Sequence, residues 1–300
     1  MMLLYLGLDF IIRKDGKIYI IEGNSSPGGT LEYKSLYGNV KPLEDLAKHI
    51  KSNVDTPKVM LLYPKSFYER NKEIIHFKER LISKKLKCDI CIYEDRNHGK
   101  FVDIHGNVFE PNVIITPRIK FKKIYKNFII VNPLSVSKIT SDKYLFYKAM
   151  KKYGLNTPET FLVLKKKRII DLVAKNKHLF NSGLVIKPRC GFGGKKVHVL
   201  DSIKDLKNVK IGKGWWVLQE RILPELIDGK FWDIRIFVVG HRPVGGFIRV
   251  SKRPVVNLSR GGKAKKLSKK LFRKIAPIAK KASEAIEKYA TKSEIHRKRF

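Results

Sequence analysis

Lys14-Asp15-Gly16-Lys17 lies between two apolar runs, residues 8–13 and 18–22, and constrains the fold more than any other short stretch. Asp-Gly between apolar segments is the sequence signature of a β-hairpin closed by a two-residue turn. Such a turn pairs Lys14 with Lys17 and, counting outward, Asp9 with Glu22. Residues two apart in a strand share a face, so Asn24 points the way Glu22 does. Carboxylates held opposite each other, with Cβ atoms roughly 4.5–5.5 Å apart, repel unless something neutralises them. A hard divalent cation does so, and Mg²⁺ takes carboxylate and amide oxygens. The alternative is an exposed pair screened by nearby lysines, but the flanking Leu8, Phe10, Ile11 and Ile21 argue against a solvated strand face.

The rest of the chain reads as α/β. Residues 24–29 form a loop, residues 42–50 a short helix, and the polar, Pro-terminated stretch 51–57 a boundary. In residues 58–137, strands at 59–63, 90–93, 113–116 and 128–131 accompany a helix over 67–86, with Ile74, Phe77, Leu81 and Ile82 facing inward. That alternation predicts a parallel sheet. The unit has no Gly-x-Gly-x-x-Gly fingerprint, so it is not read as a dinucleotide site. Beyond it come a helix over 142–153 closed by Gly154, strands at 184–188, 196–200, 215–219, 233–239 and 244–249, and a basic amphipathic helix over 267–289 interrupted at Pro277.

A chain of 300 residues, 43% of them hydrophobic, is long enough for two domains or one with lobes, and is not wholly disordered. Lys and Arg number 64 against 27 Asp and Glu, a net charge of +37 that attracts anions: nucleotide, acidic peptide, nucleic acid or acidic lipid. An odd count of 3 Cys argues against a disulfide framework and fits a reducing, cytoplasmic setting. Cys88 and Cys91 have metal-like spacing without a second pair, and read as buried strand residues. The apolar start, residues 1–12, is broken by Asp9 and too short to span a bilayer, so no membrane segment is expected.

Four segments carry chemistry. Lys187 ends a strand and is followed by Pro-Arg-Cys-Gly-Phe-Gly-Gly-Lys-Lys, then a second strand. This is not a Walker A loop, which needs Gly-Lys-Ser/Thr and a helix. It fits a glycine flap whose backbone N–H groups close over phosphates, with Lys187 as a point charge. Gln219-Glu220-Arg221-Ile222 precedes Asp233-Ile234-Arg235, and Asn257-Leu-Ser-Arg-Gly-Gly262 follows. Leu8-Asp9-Phe10 and Glu22-Gly-Asn24-Ser-Ser-Pro-Gly28 form the hairpin.

Together these segments resemble the ATP-grasp superfamily, particularly RimK-like and glutathione-synthetase-like carboxylate–amine ligases; Asn-Leu-Ser-Arg-Gly-Gly also resembles the YheC/YheD-like group. The resemblance implies an α/β ATP-grasp fold with α+β lobes, preceded by a Rossmann-like domain at 58–137. It implies that Lys143 and Lys187 contact ATP phosphates beneath a flap containing Gly193 and Gly194. Gln219, Glu220, Arg221 and Ile222 would hold adenine, and Asp233 the ribose. Arg235 and Arg260, with Asn257, would face the γ-phosphate or acyl phosphate. Asp9, Glu22 and Asn24 would hold Mg²⁺ or Mn²⁺. The activity implied is amide formation from carboxylate and amine substrates, with ADP released.

In the family the Asp and Glu-x-Asn segments come last, whereas here they come first. The order therefore reads as circularly permuted: residues 1–50 complete the lobe of 219–300, and 138–218 carry the flap. The alternative is that 1–50 are the remnant of another unit. Other function classes are a non-catalytic basic protein binding nucleic acid or ATP, and an ATP-grasp enzyme with a thiol or phosphate acceptor.

Overall fold

The computed structural model describes residues 2–93, 101–191, 193–258 and 261–297. The chain opens with β1 (Tyr5–Ile12) and β2 (Ile18–Asn24). Their turn is one residue longer than expected. Arg13 N–H donates to the Lys17 carbonyl at 2.9 Å, and Gly16, at φ 79°, supplies the left-handed residue of a three-residue hairpin loop. Pairing then runs Ile12↔Ile18 to Phe10↔Ile20, after which a bulge at Ile21 shifts the register so that Asp9 opposes Glu22 and Gly7 opposes Asn24. Two one-residue offsets cancel, and the carboxylates meet. Next comes α1 (Thr30–Tyr37), absent from the sequence reading and bounded by left-handed Gly29 and Gly38. At Gly29 a Cβ would lie 2.5 Å from the Phe247 ring, so the entry to α1 requires glycine twice over, for conformation and for room. The helix α2 (Lys41–Lys51) follows, with Pro42 in its first turn.

The second segment holds β3 (Lys58–Pro64), α3 (Lys65–Ser83), β4 (Lys87–Tyr93), the small hairpin β5 (Phe101–Val102) and β6 (Val108–Phe109), β7 (Val113–Ile115), α4 (Ile119–Ile124) and β8 (Ile129–Val131). Strands β4-β3-β7-β8 form the expected parallel sheet. Cys88 and Cys91 are buried in β4, and burial pushes both thiols well above their ordinary pKa. The inward stripe of α3 is Tyr68, Ile75 and Ile82; Ile74, Phe77 and Leu81 are only partly buried, a one-residue correction to the periodicity reading.

The third segment runs through α5 (Leu134–Ser141), α6 (Lys143–Lys152), β9 (Thr160–Val163), α7 (Lys166–Lys175), β10 (Leu184–Pro188), β11 (His198–Leu200) and β12 (Trp216–Glu220), which make an antiparallel sheet ordered β11-β10-β12-β9. The last holds β13 (Phe231–Val239), β14 (Arg242–Ser251), β15 (Lys263–Lys266) and α8 (Lys269–Arg297). The final helix is continuous through Pro277, contrary to the break expected there. Pro277 lies on the exposed side, where water can satisfy the freed carbonyl, while Ile275, Ala279, Ala282 and Ile286 hold the other face at 0% exposure.

The centre of the molecule is the antiparallel sheet β15-β14-β13-β1-β2. Alternation along β1 sends Leu4, Leu6, Leu8 and Phe10 into a core with α5, α6 and α8, and sends Leu3 and Tyr5 into another with α1, α2 and the parallel sheet. With both faces covered, β1 reads as an almost unbroken apolar run, and Asp9 is its one charge. Asn132, just after β8 and left-handed at φ 56°, ties the parallel sheet to β1. It accepts from Tyr5 N–H at 2.9 Å and donates to the Tyr5 and Ser25 carbonyls at 2.7 Å each.

Candidate active site

Asp142 caps α6, accepting from the N–H groups of Tyr144 and Leu145. Its second oxygen accepts from Arg189, at the base of the glycine loop, at 2.8 Å. Lys143 N–H in turn donates to the Arg189 carbonyl at 3.0 Å. Helix start and loop base are thus fastened together, and the next side chain, Lys143, is directed inward. Its ammonium donates to the Gly191 carbonyl at 2.8 Å and lies 3.1 Å from Glu22 Oε1. Close packing sets this approach: a Cβ at Gly23 would fall 2.6 Å from the Phe146 ring of α6.

Lys187, on β10, is 7% exposed and has no hydrogen-bond or ion-pair partner among the described residues. Burial lowers its pKa to about 8, against the pull of Glu22 and Asp9, while Lys143 pushes the same way as burial. These four charges therefore converge. Gly193 and Gly194, beyond Lys187, are both left-handed, at φ 69° and 65°. They turn the loop between β10 and β11, as a flap requires.

A buried charge ladder lies beneath. Asp9 is 3% exposed and accepts two hydrogen bonds from Arg235, from Nε and Nη2, at 2.8 Å each. Arg249 Nη2 adds a contact to Asp9 Oδ2 at 2.9 Å, and Arg249 also grips Asp233 at 2.6 and 2.7 Å. Burial alone would raise the Asp9 pKa, but the two guanidiniums hold it below the usual carboxylate range. Asp233 has one guanidinium and feels the Asp9 charge, so burial wins and its pKa rises to about 6. Sequence reasoning missed Arg249. It sits opposite Asp233 because a bulge near Val238 shifts the β13–β14 register; unbroken counting from the turn puts Ile248 there.

Other expected residues are placed as follows. Gln219 Nε2 donates to Thr160 Oγ1 at 2.8 Å, Glu220 accepts from Glu159 N–H at 3.2 Å, and the Glu220 N–H donates to the Glu159 carbonyl at 2.9 Å, so both residues are tied into the sheet and only Arg221 and Ile222 lie beyond it. Arg221 pairs with Asp201, and Ile222 is buried. Asn257 is described; Arg260 lies outside the described residues. Asn24 Oδ1 accepts from Ser26 N–H at 2.8 Å.

Among the described residues no cluster of three or more His, Cys, Asp or Glu side chains forms a ready metal cage. In kind, Glu22 and Asn24 fit a hard cation: an oxygen pair on one strand, with Glu22 side-chain exposure of 36% and a single lysine partner. Asp9 fits less well, because three guanidinium contacts already occupy most of the acceptor sites on its two oxygens. No helix of the described residues is long and apolar enough to cross a membrane.

The described architecture aligns with that of a putative gamma-glutamylcysteine synthetase from Methylobacillus flagellatus over 96% of this chain and 89% of that one, at TM-score 0.66 and 15% identity. A family model described as sugar-transfer associated ATP-grasp matches residues 121–220. The chain has the ATP-grasp fold. A D-alanyl-alanine synthetase A from Vibrio cholerae aligns over 78% of this chain and 82% of its own, at TM-score 0.54 and 7% identity. In sequence, the chain is 31% identical over 166 residues to a coenzyme gamma-F420-2:alpha-L-glutamate ligase from Methanococcus maripaludis, covering 53% of this chain and 55% of that protein. It is 25% identical over 249 residues to an uncharacterized protein of Mycoplasma genitalium, covering 78% of each. The chain spans about half the length of the F420 ligases it matches. The segment matched by the ATP-grasp family model contains α6, the glycine loop and β12, while the hairpin bearing Glu22 and Asn24 reaches the same site from the beginning of the chain.

Proposed function

We propose that this protein is an ATP-dependent, ADP-forming ligase joining a carboxylate to an amine, with a motif order permuted relative to related ligases. The observation that carries the reading is Lys187: an enclosed cation without a partner among the described residues, beside Lys143 and close to the glycine loop. A buried unpaired ammonium is costly, and a phosphate oxygen offsets that cost. The ligase name of the two F420 relatives supports the same reading.

In the proposed reaction a substrate carboxylate oxygen attacks the γ-phosphorus of ATP, and the bond to the ADP oxygen breaks. The amine nitrogen then attacks the acyl carbon, the phosphate departs with the former carboxylate oxygen, and the nitrogen releases a proton to solvent. Lys187 and Lys143 hold phosphate oxygens, the flap amides exclude water, and the backbone at the end of the Gln219–Ile222 segment, beyond β12, seats the base. Arg235, pinned by Asp9, presents a fixed positive edge toward the acyl phosphate. Mg²⁺, held at Glu22 and Asn24, would supply charge neutralisation at the phosphates. No nucleophilic side chain is needed.

The test is a phosphate-release screen of the purified protein with ATP, Mg²⁺ and carboxylate–amine pairs, with hydroxylamine added to trap the acyl phosphate. ADP, phosphate and amide in equal amounts are expected. AMP and pyrophosphate, or nucleotide turnover indifferent to every carboxylate, would refute the assignment.

A further inference from the structure

Lys78 occupies the inward stripe of α3, between Ile75 and Ile82, which are each 1% exposed. An apolar residue is expected there. The lysine is closely surrounded by protein, burial lowers its pKa, and it has no hydrogen-bond or ion-pair partner among the described residues. It lines a partly enclosed cavity of about 30 Å³ with Tyr5, Ser25, Ser26, Thr116 and Asn132, and no Asp or Glu contributes to the lining. Tyr5 also lines the cavity, and its buried hydroxyl has Thr30 as its side-chain neighbour. Hydroxyls of Ser25, Ser26 and Thr116 add further donors. Most of the remaining wall is apolar, with Leu43, Leu46, Leu61 and Ile82, and among the described residues Lys78 is its one cation.

The cavity lies where β7 and β8 end, since Thr116 and Asn132 each follow the last residue of a parallel strand. Open α/β sheets bind ligands outside the carboxyl ends of their strands. Its other wall, Ser25 and Ser26, continues from Asn24. Tyr5 and Asp9 are four residues apart on one strand, roughly 13 Å at the usual rise. About 30 Å³ is the volume of a water or a carboxylate head, and too little for a sugar or a phosphate ester.

We infer that this cavity receives a second carboxylate of the ligase's substrate, remote from the reacting group and anchored by Lys78. The inference rests on the ligase reading and narrows it: the substrate is an extended molecule with an acidic far end.

The test is calorimetric binding of suberate and octanoate, equal in length but with two carboxylates against one, to the full chain holding Mg²⁺ and a non-hydrolysable ATP analogue. Wild type should bind suberate at least tenfold more tightly. Lys78→Met should abolish that preference with nucleotide affinity unchanged, and Lys78→Arg should retain part of it. Lys72→Met, an exposed lysine on the same helix, should leave it intact. Equal affinities in wild type, or a preference that survives Lys78→Met, overturns the inference. Because Lys78→Met could disturb α3, its melting temperature is measured alongside; should it unfold, Lys78→Gln and Lys78→Arg decide by the same comparison. The two readings fail separately. Amide formation without a Lys78-dependent preference removes the anchoring site alone. A Lys78-dependent preference, measured without nucleotide in a protein that forms no amide, removes the ligase reading alone.

Discussion

Lys143 and Glu22 form an ion pair at 3.1 Å across 121 residues of sequence. Each belongs to a different ligand in the proposed complex, Lys143 to a phosphate and Glu22 to the metal. Glu22→Gln should therefore lower Mg²⁺-dependent turnover by roughly 100-fold or more, the usual cost of losing a charge at a transferring group. The melting temperature should stay close to wild type, because Glu22 is partly exposed. Steady-state rates and a thermal melt decide it; undiminished turnover would remove Glu22 from the metal site.

Lys187 offers a test in pH. Its native pKa of about 8 lies below the ordinary 10.5, so between these values the unfolded chain binds more protons and stability rises with pH. Below about 8 the buried charge costs up to roughly 3 kcal/mol. Lys187→Met should therefore stabilise the ligand-free protein at pH 7 and flatten the rise toward pH 10. In wild type, nucleotide binding should weaken above pH 8 as the ammonium loses its proton, by up to about tenfold per pH unit. Calorimetric titrations from pH 7 to 9.5 test this, and Lys196→Met, at an exposed loop position, should behave as wild type.

Arg249 neutralises two buried carboxylates at once. Arg249→Met should cost about 3–5 kcal/mol, the range for breaking a buried pair from one side. The variant should also be more stable at pH 5 than at pH 7. With the guanidinium gone, Asp233, already raised to about 6, takes up a proton more readily when folded than unfolded, so acid favours the native state. Urea midpoints at the two pH values give the sign, and a midpoint that falls on acidification contradicts the ladder.

Asn132 combines a left-handed backbone with three hydrogen bonds to the N-terminal segment. Asn132→Gly keeps the conformation and loses the bonds; Asn132→Ala loses both. Loss of the bonds should cost about 1–3 kcal/mol, with Ala worse than Gly by up to about 1 kcal/mol. Denaturant melts of the two variants separate the contributions, and equal stability of wild type and Asn132→Gly would show the bonds contribute nothing.

The elements were legible where local rules govern. Asp-Gly marked the first hairpin, alternating apolar runs marked the parallel sheet, and Asp142 marked the start of α6. What stayed hidden depends on register. The Asp9–Glu22 pairing was reached by counting through a turn and a strand that each depart from regularity by one residue, and only their cancellation preserved it. In the β13–β14 hairpin a single bulge has no such compensation, so Arg249 could not be placed against Asp233 by counting. Helix α1 escaped because its eight residues carry little amphipathic pattern and its ends are fixed by glycine geometry against Phe247. Lys78 was invisible for a related reason: a one-residue rotation of the α3 stripe moves it from the water side to the wall of a cavity.

The pairing of β1 with β13 also bears on how this protein is made. Asp9 and Arg235 are 226 residues apart, so on a ribosome adding about 5–20 residues per second the first strand waits roughly 10–50 s for its neighbour. Throughout that interval β1, apolar on both faces, has one strand neighbour, β2, and an open edge where β13 will pair. Closing the central sheet is a strongly non-local event, and it should slow folding and lengthen the period of dependence on chaperones.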